Sequence, residues 1–98
     1  MKELSLLSTV TVTKEAVHCS VEEEVVILSL KDGIYYGLNP VGAFIWDIIQ
    51  KPKRVEEIRD AVLGEFDVNE DVCMEDINDL IQELLNKCLV EVVNVEDP

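Results

Sequence analysis

The chain has no basic side chain where a nucleic-acid-binding domain would need one. Between Asp60 and Asn86 there is neither lysine nor arginine, whereas acidic residues recur throughout the segment. Neutralising phosphates supplies most of the affinity of a DNA-binding helix. The formal net charge of −13 would likewise repel the phosphates of a nucleic acid. We therefore expect no binding to nucleic acid or to anionic membranes; the acidity either favours a neutral or basic partner or only keeps the protein soluble.

Residues that could carry catalysis or hold a metal are also scarce. His18 is the only histidine, and the three cysteines Cys19, Cys73 and Cys88 form no C-x-x-C pair. An odd number of cysteines does not make a disulfide framework, and a zinc site needs about four ligands. We expect Cys73 and Cys88 to be small buried side chains on a helix. His18 lacks a partner that would orient it as a base, and the few glycines form no phosphate-binding loop. The sequence therefore predicts no metal, no cofactor, no catalytic residue and no enzymatic activity.

Long apolar runs are missing as well. None approaches the roughly 20 residues that a membrane span requires, and the apolar stretch near the start is too short for a signal peptide. A cytoplasmic location is expected. The 98 residues and a hydrophobic content of 48% are sufficient for a single domain with its own core. We expect that domain to cover residues 1–98, with residues 1–8 and 95–98 flexible.

The first forty residues follow strand patterns. Segments 9–13 and 17–21 alternate, the second placing Val17, Cys19 and Val21 on one face. Segment 25–30 is almost entirely apolar, as expected of a central strand covered on both faces. Asp32-Gly33 predicts a type I′ turn into a returning strand at 34–38, since that turn needs positive φ at both central residues. The prediction is an antiparallel meander whose third strand, 34–38, lies at an edge.

The remaining residues follow helical patterns. Asn39-Pro40 predicts a capped helix start, followed by an apolar stripe to residue 49. A second helix is expected at 55–66 and a third, capped by Asn69, at about 70–87. Residues 89–95 suit a short closing strand. Trp46 lies off the inner stripe of the first helix, so it either packs against the second helix or remains exposed for a partner. The fold class is thus α+β and winged helix-turn-helix-like: a three-stranded antiparallel sheet followed by three helices.

The predicted edge strand carries no charge, in a chain with 30% charged residues. Edge strands are normally protected by charged residues, by proline or by a covering segment, because their free N–H and C=O groups would otherwise pair with other chains. Such an edge can accept an extended peptide as an added strand. The alternatives are that segment 89–95, segment 9–13 or a second copy of the chain covers it.

A run of motifs resembles the PqqD-like family. Residues 32–46, DGIYYGLNPVGAFIW, resemble its DG-x-Y-Y-x-LN-x-x-G-x-x-I-W core. They are followed in order by VEEI at 55–58, EFDV at 65–68, D-I-x-x-L-I-x-x-L at 76–84 and LVEV at 89–92. The resemblance covers about residues 16–93 and is strongest to free-standing leader-peptide-binding proteins of lasso-peptide biosynthesis. One departure is Cys88, which stands where family members often have the glycine that ends the third helix.

The resemblance implies a RiPP recognition element, which binds the leader of a ribosomally made precursor peptide. The leader would add antiparallel to the edge strand, lie against the third helix, and be delivered to a leader protease or other maturation enzyme. Asp76 would hydrogen-bond to the leader or pair with a basic residue; ordinary solvation is the alternative. Either Tyr35 or Tyr36 would face the groove. The expected peptide-binding residues are Ile34, Tyr35, Tyr36, Gly37, Leu38, Val72, Cys73, Asp76, Ile77 and Leu80.

A second class of function stays open at this level. A non-catalytic winged-helix domain could serve as an interaction or regulatory subunit, dimerising through its free edge without binding DNA. A neighbouring gene for a short precursor would favour the leader-binding class.

Overall fold

In a computed structural model, residues 4–21 and 24–93 of the chain are described. The strands are β1 (Thr9–Val12), β2 (Ala16–Val21), β3 (Glu24–Ser29), β4 (Tyr35–Leu38), β5 (Lys53–Arg54) and β6 (Val90–Val93). The helices are α1 (Pro40–Ile48), α2 (Val55–Glu65) and α3 (Glu70–Asn86). The expected α+β class, with a three-stranded antiparallel sheet and three helices, is confirmed. In the described residues no helix is long and apolar enough to cross a bilayer.

The predicted meander is the sheet β2-β3-β4, with β3 in the centre and β4 at an edge. Its register places His18, Ile27 and Tyr36 in one row, and Val17, Leu28 and Tyr35 in the next. Only one face of β3 is covered, which corrects the expectation of a strand covered on both faces. Ile27 is buried, whereas Leu28 points to the other face and stays partly exposed. Antiparallel sheets commonly have one such open face.

The turn between β3 and β4 is wider than the predicted two-residue type I′ turn. Gly33 has a φ of +72°, but Asp32 does not have positive φ. The Gly33 N–H donates to the Ser29 carbonyl at 2.7 Å, and the Ser29 N–H donates to the Ile34 carbonyl at 2.9 Å. The Asp32 carboxylate accepts the Ile34 N–H at 3.1 Å. A four-residue loop therefore reverses the chain, and β4 begins one residue later than predicted.

Both asparagine caps occur where the sequence places them. The Asn39 side chain accepts the Gly42 N–H at 2.7 Å at the start of α1, with Pro40 at the first helical position. The Asn69 side chain accepts the Asp71 N–H at 2.8 Å at the start of α3. Each cap satisfies amide groups that have no partner inside the helix.

A second sheet, β5-β1-β6, was not predicted. Here β1 pairs antiparallel with β6, from Thr9 opposite Val93 to Val12 opposite Val90. On its other side, β1 pairs antiparallel with β5. The predicted closing strand is thus confirmed in residues 90–93; residues 94 and 95 lie outside the described part of the chain. Because segments 9–12 and 90–93 pair with each other, neither covers β4.

The amino-terminal residues that are described make defined contacts. The Ser8 carbonyl accepts the Val55 N–H at 2.9 Å, and the Leu6 carbonyl accepts the Glu56 N–H at 3.0 Å. Leu4 packs against the core. Of the ends expected to be flexible, residues 1–3 and 95–98 lie outside the described residues.

The core lies between the two sheets and the three helices. Its fully buried side chains come from every helix and from both sheets: Val10, Ile27, Ile45, Ile49, Ile58, Val62, Ile77, Ile81 and Leu89. Trp46 is also buried, with 2% of its surface exposed, so it is not a free surface aromatic. Its ring meets His18 edge-on, with centroids 6.1 Å apart. The contact fixes α1 against β2.

Cys88 ends α3 in the left-handed conformation, with a φ of 61°. The Leu89 N–H donates to the Leu84 carbonyl at 2.9 Å and the Cys88 N–H to the Leu85 carbonyl at 3.0 Å. These two bonds define the Schellman motif. The helix end is therefore the one a glycine would give, although cysteine occupies it. The expectation that Cys88 is a buried helical residue is wrong, because it follows the helix and is partly exposed; Cys73 is buried on α3 as expected.

Candidate functional site

The free side of β4 presents main-chain groups that the sheet leaves unpaired. Within residues 4–21 and 24–93, β4 pairs with β3 alone, and Tyr36 stands opposite Ile27. Antiparallel strands alternate between residues that exchange hydrogen bonds and residues that point outward. Counting from the Ser29–Ile34 bond, Tyr36 and Leu38 bond to β3, whereas the N–H and C=O groups of Tyr35 and Gly37 face away. Two donors and two acceptors are thus available along one edge.

A groove runs beside that edge, between β4, the start of α1 and the outer face of α3. It consists of two adjoining cavities of about 370 and 300 Å³. Both are lined by Asn39, Gly42, Leu80 and Glu83, so they form one continuous channel. A β-carbon added to Gly42 would lie 3.2 Å from the Asn39 side-chain oxygen. The glycine therefore allows β4 and α1 to meet closely at the groove floor.

Apolar and aromatic surface lines the β4 half of the groove. Tyr36 and Leu38 are partly buried and pack against the core, and Leu80 faces them from α3. The Lys87 ammonium lies 5.0 Å from the centroid of the Tyr36 ring. This cation–π contact holds a positive charge at one end of the groove.

Carboxylates line the other half. Asp76, Asp79 and Glu83 border the cavity that continues past Asn39 along α3. In the described part of the chain, ion pairs join Arg54 to Glu56 and Arg59 to Asp60, and none neutralises these three carboxylates. Glu83 also borders the cavity beside β4, so Asp76 and Asp79 give one end of the groove its negative charge, and Lys87 lies at the other end.

The structure brings some of the predicted site residues together. Tyr35, Tyr36, Gly37, Leu38, Asp76 and Leu80 all line the groove. Tyr36 is the tyrosine that faces inward, whereas Tyr35 is 68% exposed on the opposite face of the sheet. Of the two alternatives that the sequence left open, Tyr36 is thus the tyrosine whose side chain faces the groove.

Four predicted residues lie elsewhere. Cys73 and Ile77 are 3% and 0% exposed in the core beneath the groove, so no ligand reaches them without rearrangement. Burial, with a smaller effect of the Asp76 charge, raises the pKa of the Cys73 thiol. Val72 and Ile34 are both 49% exposed but line neither cavity. On α3, the helical periodicity explains why Ile77 is buried whereas Leu80 lines the groove, since the two residues lie on neighbouring stripes of the helix.

Sequence reasoning missed several groove residues. These lie at the start of α1 and along the outer face of α3: Asn39, Val41, Gly42, Asp79, Glu83, Leu84 and Lys87. Asn39 and Gly42 belong to the motif already singled out, so their position beside the edge strand was the available signal. The i, i+3, i+4 spacing of residues 76, 79, 80 and 83 also marks a single face of α3.

Comparison with known proteins identifies the family. The model of the family described as "Coenzyme PQQ synthesis protein D (PqqD)" matches residues 24–90. The chain therefore belongs to the PqqD family. Among curated proteins, none matches the chain significantly.

Two solved structures share the fold. One is described as "TbiB1 in Complex with the TbiA(beta) Leader Peptide"; it has 34% sequence identity and a TM-score of 0.75, over 89% of this chain and 99% of that one. The other is described as "Lasso peptide synthetase B1 complexed with the leader peptide"; it has 18% identity and a TM-score of 0.74, over 84% and 96% of the two chains. This chain spans nearly the full length of both.

Proposed function

We propose that this protein is a RiPP recognition element that binds the leader of a lasso-peptide precursor by strand addition to β4. The observation that carries the proposal is the open, uncharged edge of β4 beside a groove that Tyr36, Leu38 and Leu80 line. A relative of 34% identity is described in complex with a leader peptide, which supports the same class of ligand.

Main-chain pairing supplies the affinity in this proposal. An antiparallel leader strand would exchange hydrogen bonds with the outward groups of Tyr35 and Gly37. Each net hydrogen bond contributes about 1 kcal/mol. Side chains on one face of the leader would enter the groove between Tyr36, Leu38 and Leu80, where apolar burial contributes about 25 cal/mol per Å². This combination gives affinity from the backbone and selectivity from the pockets.

The test is a proline at Gly37. Its N–H points away from β3, so Gly37→Pro removes a donor that the leader would use while leaving the β3–β4 bonds in place. We expect leader affinity to fall about tenfold, since one hydrogen bond is lost and the ring obstructs the edge. The measurement is fluorescence polarisation of a labelled synthetic peptide, with the leader sequence of a lasso-peptide precursor taken from the genome that encodes this chain.

Gly37→Ala is the matched control. A β-carbon at Gly37 meets no atom within 4 Å, so alanine fits and keeps the N–H. We expect Gly37→Ala to bind the leader almost as the wild type does. Circular dichroism establishes that both variants fold. Equal affinity of folded Gly37→Pro and wild-type protein would place the peptide elsewhere.

We further propose that the protein acts without catalysis and hands the bound leader to a leader protease or other maturation enzyme in the cytoplasm. In the described residues no group of three or more histidine, cysteine or acidic side chains is arranged to hold a metal ion.

Reconstitution with the protease tests the delivery step: cleavage of the precursor should accelerate with wild-type protein and much less with Gly37→Pro.

The alternative is a regulatory subunit that dimerises through the same edge. Two copies would each bring a net charge of −13, which opposes association. Light scattering distinguishes the two cases. A dimer that Gly37→Pro dissociates, together with no leader binding by the wild type, would favour the regulatory subunit.

A further inference from the structure

The two ends of the groove carry opposite charges, and neither is neutralised by an ion pair within the described residues. Asp76, Asp79 and Glu83 follow one face of α3; Asp76 and Asp79 border the cavity at the Asn39 end of the groove, and Glu83 borders both cavities. Like charges spaced three or four residues apart on a helix repel one another and destabilise it. A cationic ligand group beside them would relieve that repulsion. At the other end lies Lys87, which among the described residues is the one basic side chain bordering either cavity.

Lys87 is also placed to face a ligand. Its ammonium lies over the Tyr36 ring, and Tyr36 stands on the strand that the leader would pair with. Glu83 is four residues earlier on α3, yet no salt bridge joins the two. The charge on Lys87 is thus held at the strand side of the groove, where a carboxylate on the added strand would meet it.

From this arrangement we infer that Lys87 is a specificity-determining residue and that the groove selects a leader with charges in a fixed order. A basic side chain of the leader lies beside Asp76 and Asp79, and an acidic side chain lies beside Lys87. The inference rests on the proposed function, because it requires the leader to be added at β4.

Geometry fixes the spacing of the two charges. From Asp79, the middle carboxylate, to Lys87 is eight residues, or about 12 Å at 1.5 Å per helical residue. An extended strand covers that distance in about four residues at roughly 3.3 Å each. An even number also keeps both side chains on the groove face, since strand side chains alternate.

The order follows from strand direction. Asp76 and Asp79 lie towards Asn39, at the end of β4, and Lys87 lies beside Tyr36, nearer its start. An antiparallel leader therefore presents its basic residue first and its acidic residue about four positions later.

The experiment exchanges charges on both sides. Synthetic leaders are prepared in the native form and with the acidic residue replaced by lysine. Each is titrated against wild-type protein, Lys87→Met and Lys87→Glu at low and at physiological salt. Methionine keeps the apolar stem over Tyr36 and removes only the charge.

For the native leader we expect a loss of about threefold with Lys87→Met and about tenfold with Lys87→Glu, which reverses the charge. The lysine-substituted leader should reverse the ranking and bind Lys87→Glu more tightly than wild type. Both differences should shrink as salt is raised.

Thermal unfolding by circular dichroism controls for the position of Lys87 at the end of α3. A native leader without the basic–acidic order, or Lys87 variants that bind both peptides as wild type does, would overturn the inference. The proposed function would still stand in that case if Gly37→Pro lost binding. A wild-type protein that binds no leader would overturn both.

Discussion

The left-handed cysteine at the end of α3 allows a sharp test of how the helix terminates. Cys88 has a φ of 61° and closes a Schellman motif through the Leu84 and Leu85 carbonyls. A residue with a β-carbon is destabilised by about 1–2 kcal/mol in this conformation, whereas glycine is not. We therefore expect Cys88→Gly to stabilise the protein.

The net stabilisation expected for Cys88→Gly is smaller than the backbone strain that the substitution relieves. Glycine gives the unfolded chain more conformational freedom, which offsets roughly 0.5 kcal/mol of the gain. The Cys88 thiol contributes little, since its contact with the Lys31 ammonium is 3.6 Å long and exposed. A stabilisation of about 1 kcal/mol remains, which corresponds to about 4–8 °C in Tm for a domain of this size.

Urea unfolding followed by circular dichroism measures the change, and Cys88→Ala is the control. Alanine removes the thiol but keeps the β-carbon, so it should be no more stable than the wild type. The Thr13 hydroxyl donates to the Cys88 carbonyl at 2.8 Å, and neither variant removes that bond. If Cys88→Gly were no more stable than Cys88→Ala, left-handed strain would not be what the substitution relieves.

Three further outcomes are expected. Asp76→Ala should weaken leader binding by about 1–2 kcal/mol if its carboxylate accepts a charge-assisted hydrogen bond, with unchanged circular dichroism; unchanged affinity would indicate ordinary solvation. Duplex DNA should not bind at physiological salt, because α3 offers no phosphate contacts; a gel shift at micromolar protein would refute this. Burial raises the pKa of the Cys73 thiol above that of a free thiol, so the folded state holds its proton more tightly than the unfolded state. Stability should therefore fall as pH rises past that value, and less so in Cys73→Val.

The difference between Tyr36 and Gly37 matters for any test of the edge. Tyr36 lies opposite Ile27 and bonds to it, so a proline at Tyr36 would disturb the sheet as well as the ligand. A proline at Gly37 removes only the hydrogen bond to the ligand and leaves the β3–β4 pairing intact, because the Gly37 N–H is directed away from β3. Register, which only the folded sheet defines, decides which substitution is informative.

The sequence by itself determined the local features. Asn39, Asn69 and the helical stripes set where the helices begin and which faces are buried, because capping and periodicity depend on residues close in the chain. The lack of charge in the edge strand, and the lack of basic residues on α3, were likewise visible without a structure. The family motifs added the class of ligand to expect.

Tertiary structure decided what local patterns leave open. It paired β1 with β6, across about eighty residues of sequence, and so left β4 uncovered. It buried Trp46 against β2, and it placed Ile77 in the core but Leu80 in the groove. It also set Lys87 over Tyr36, a contact between residues that are far apart in sequence. These contacts depend on packing between segments that are far apart in sequence. Sequence periodicity alone does not predict which of two neighbouring helix positions is buried in the close-packed core.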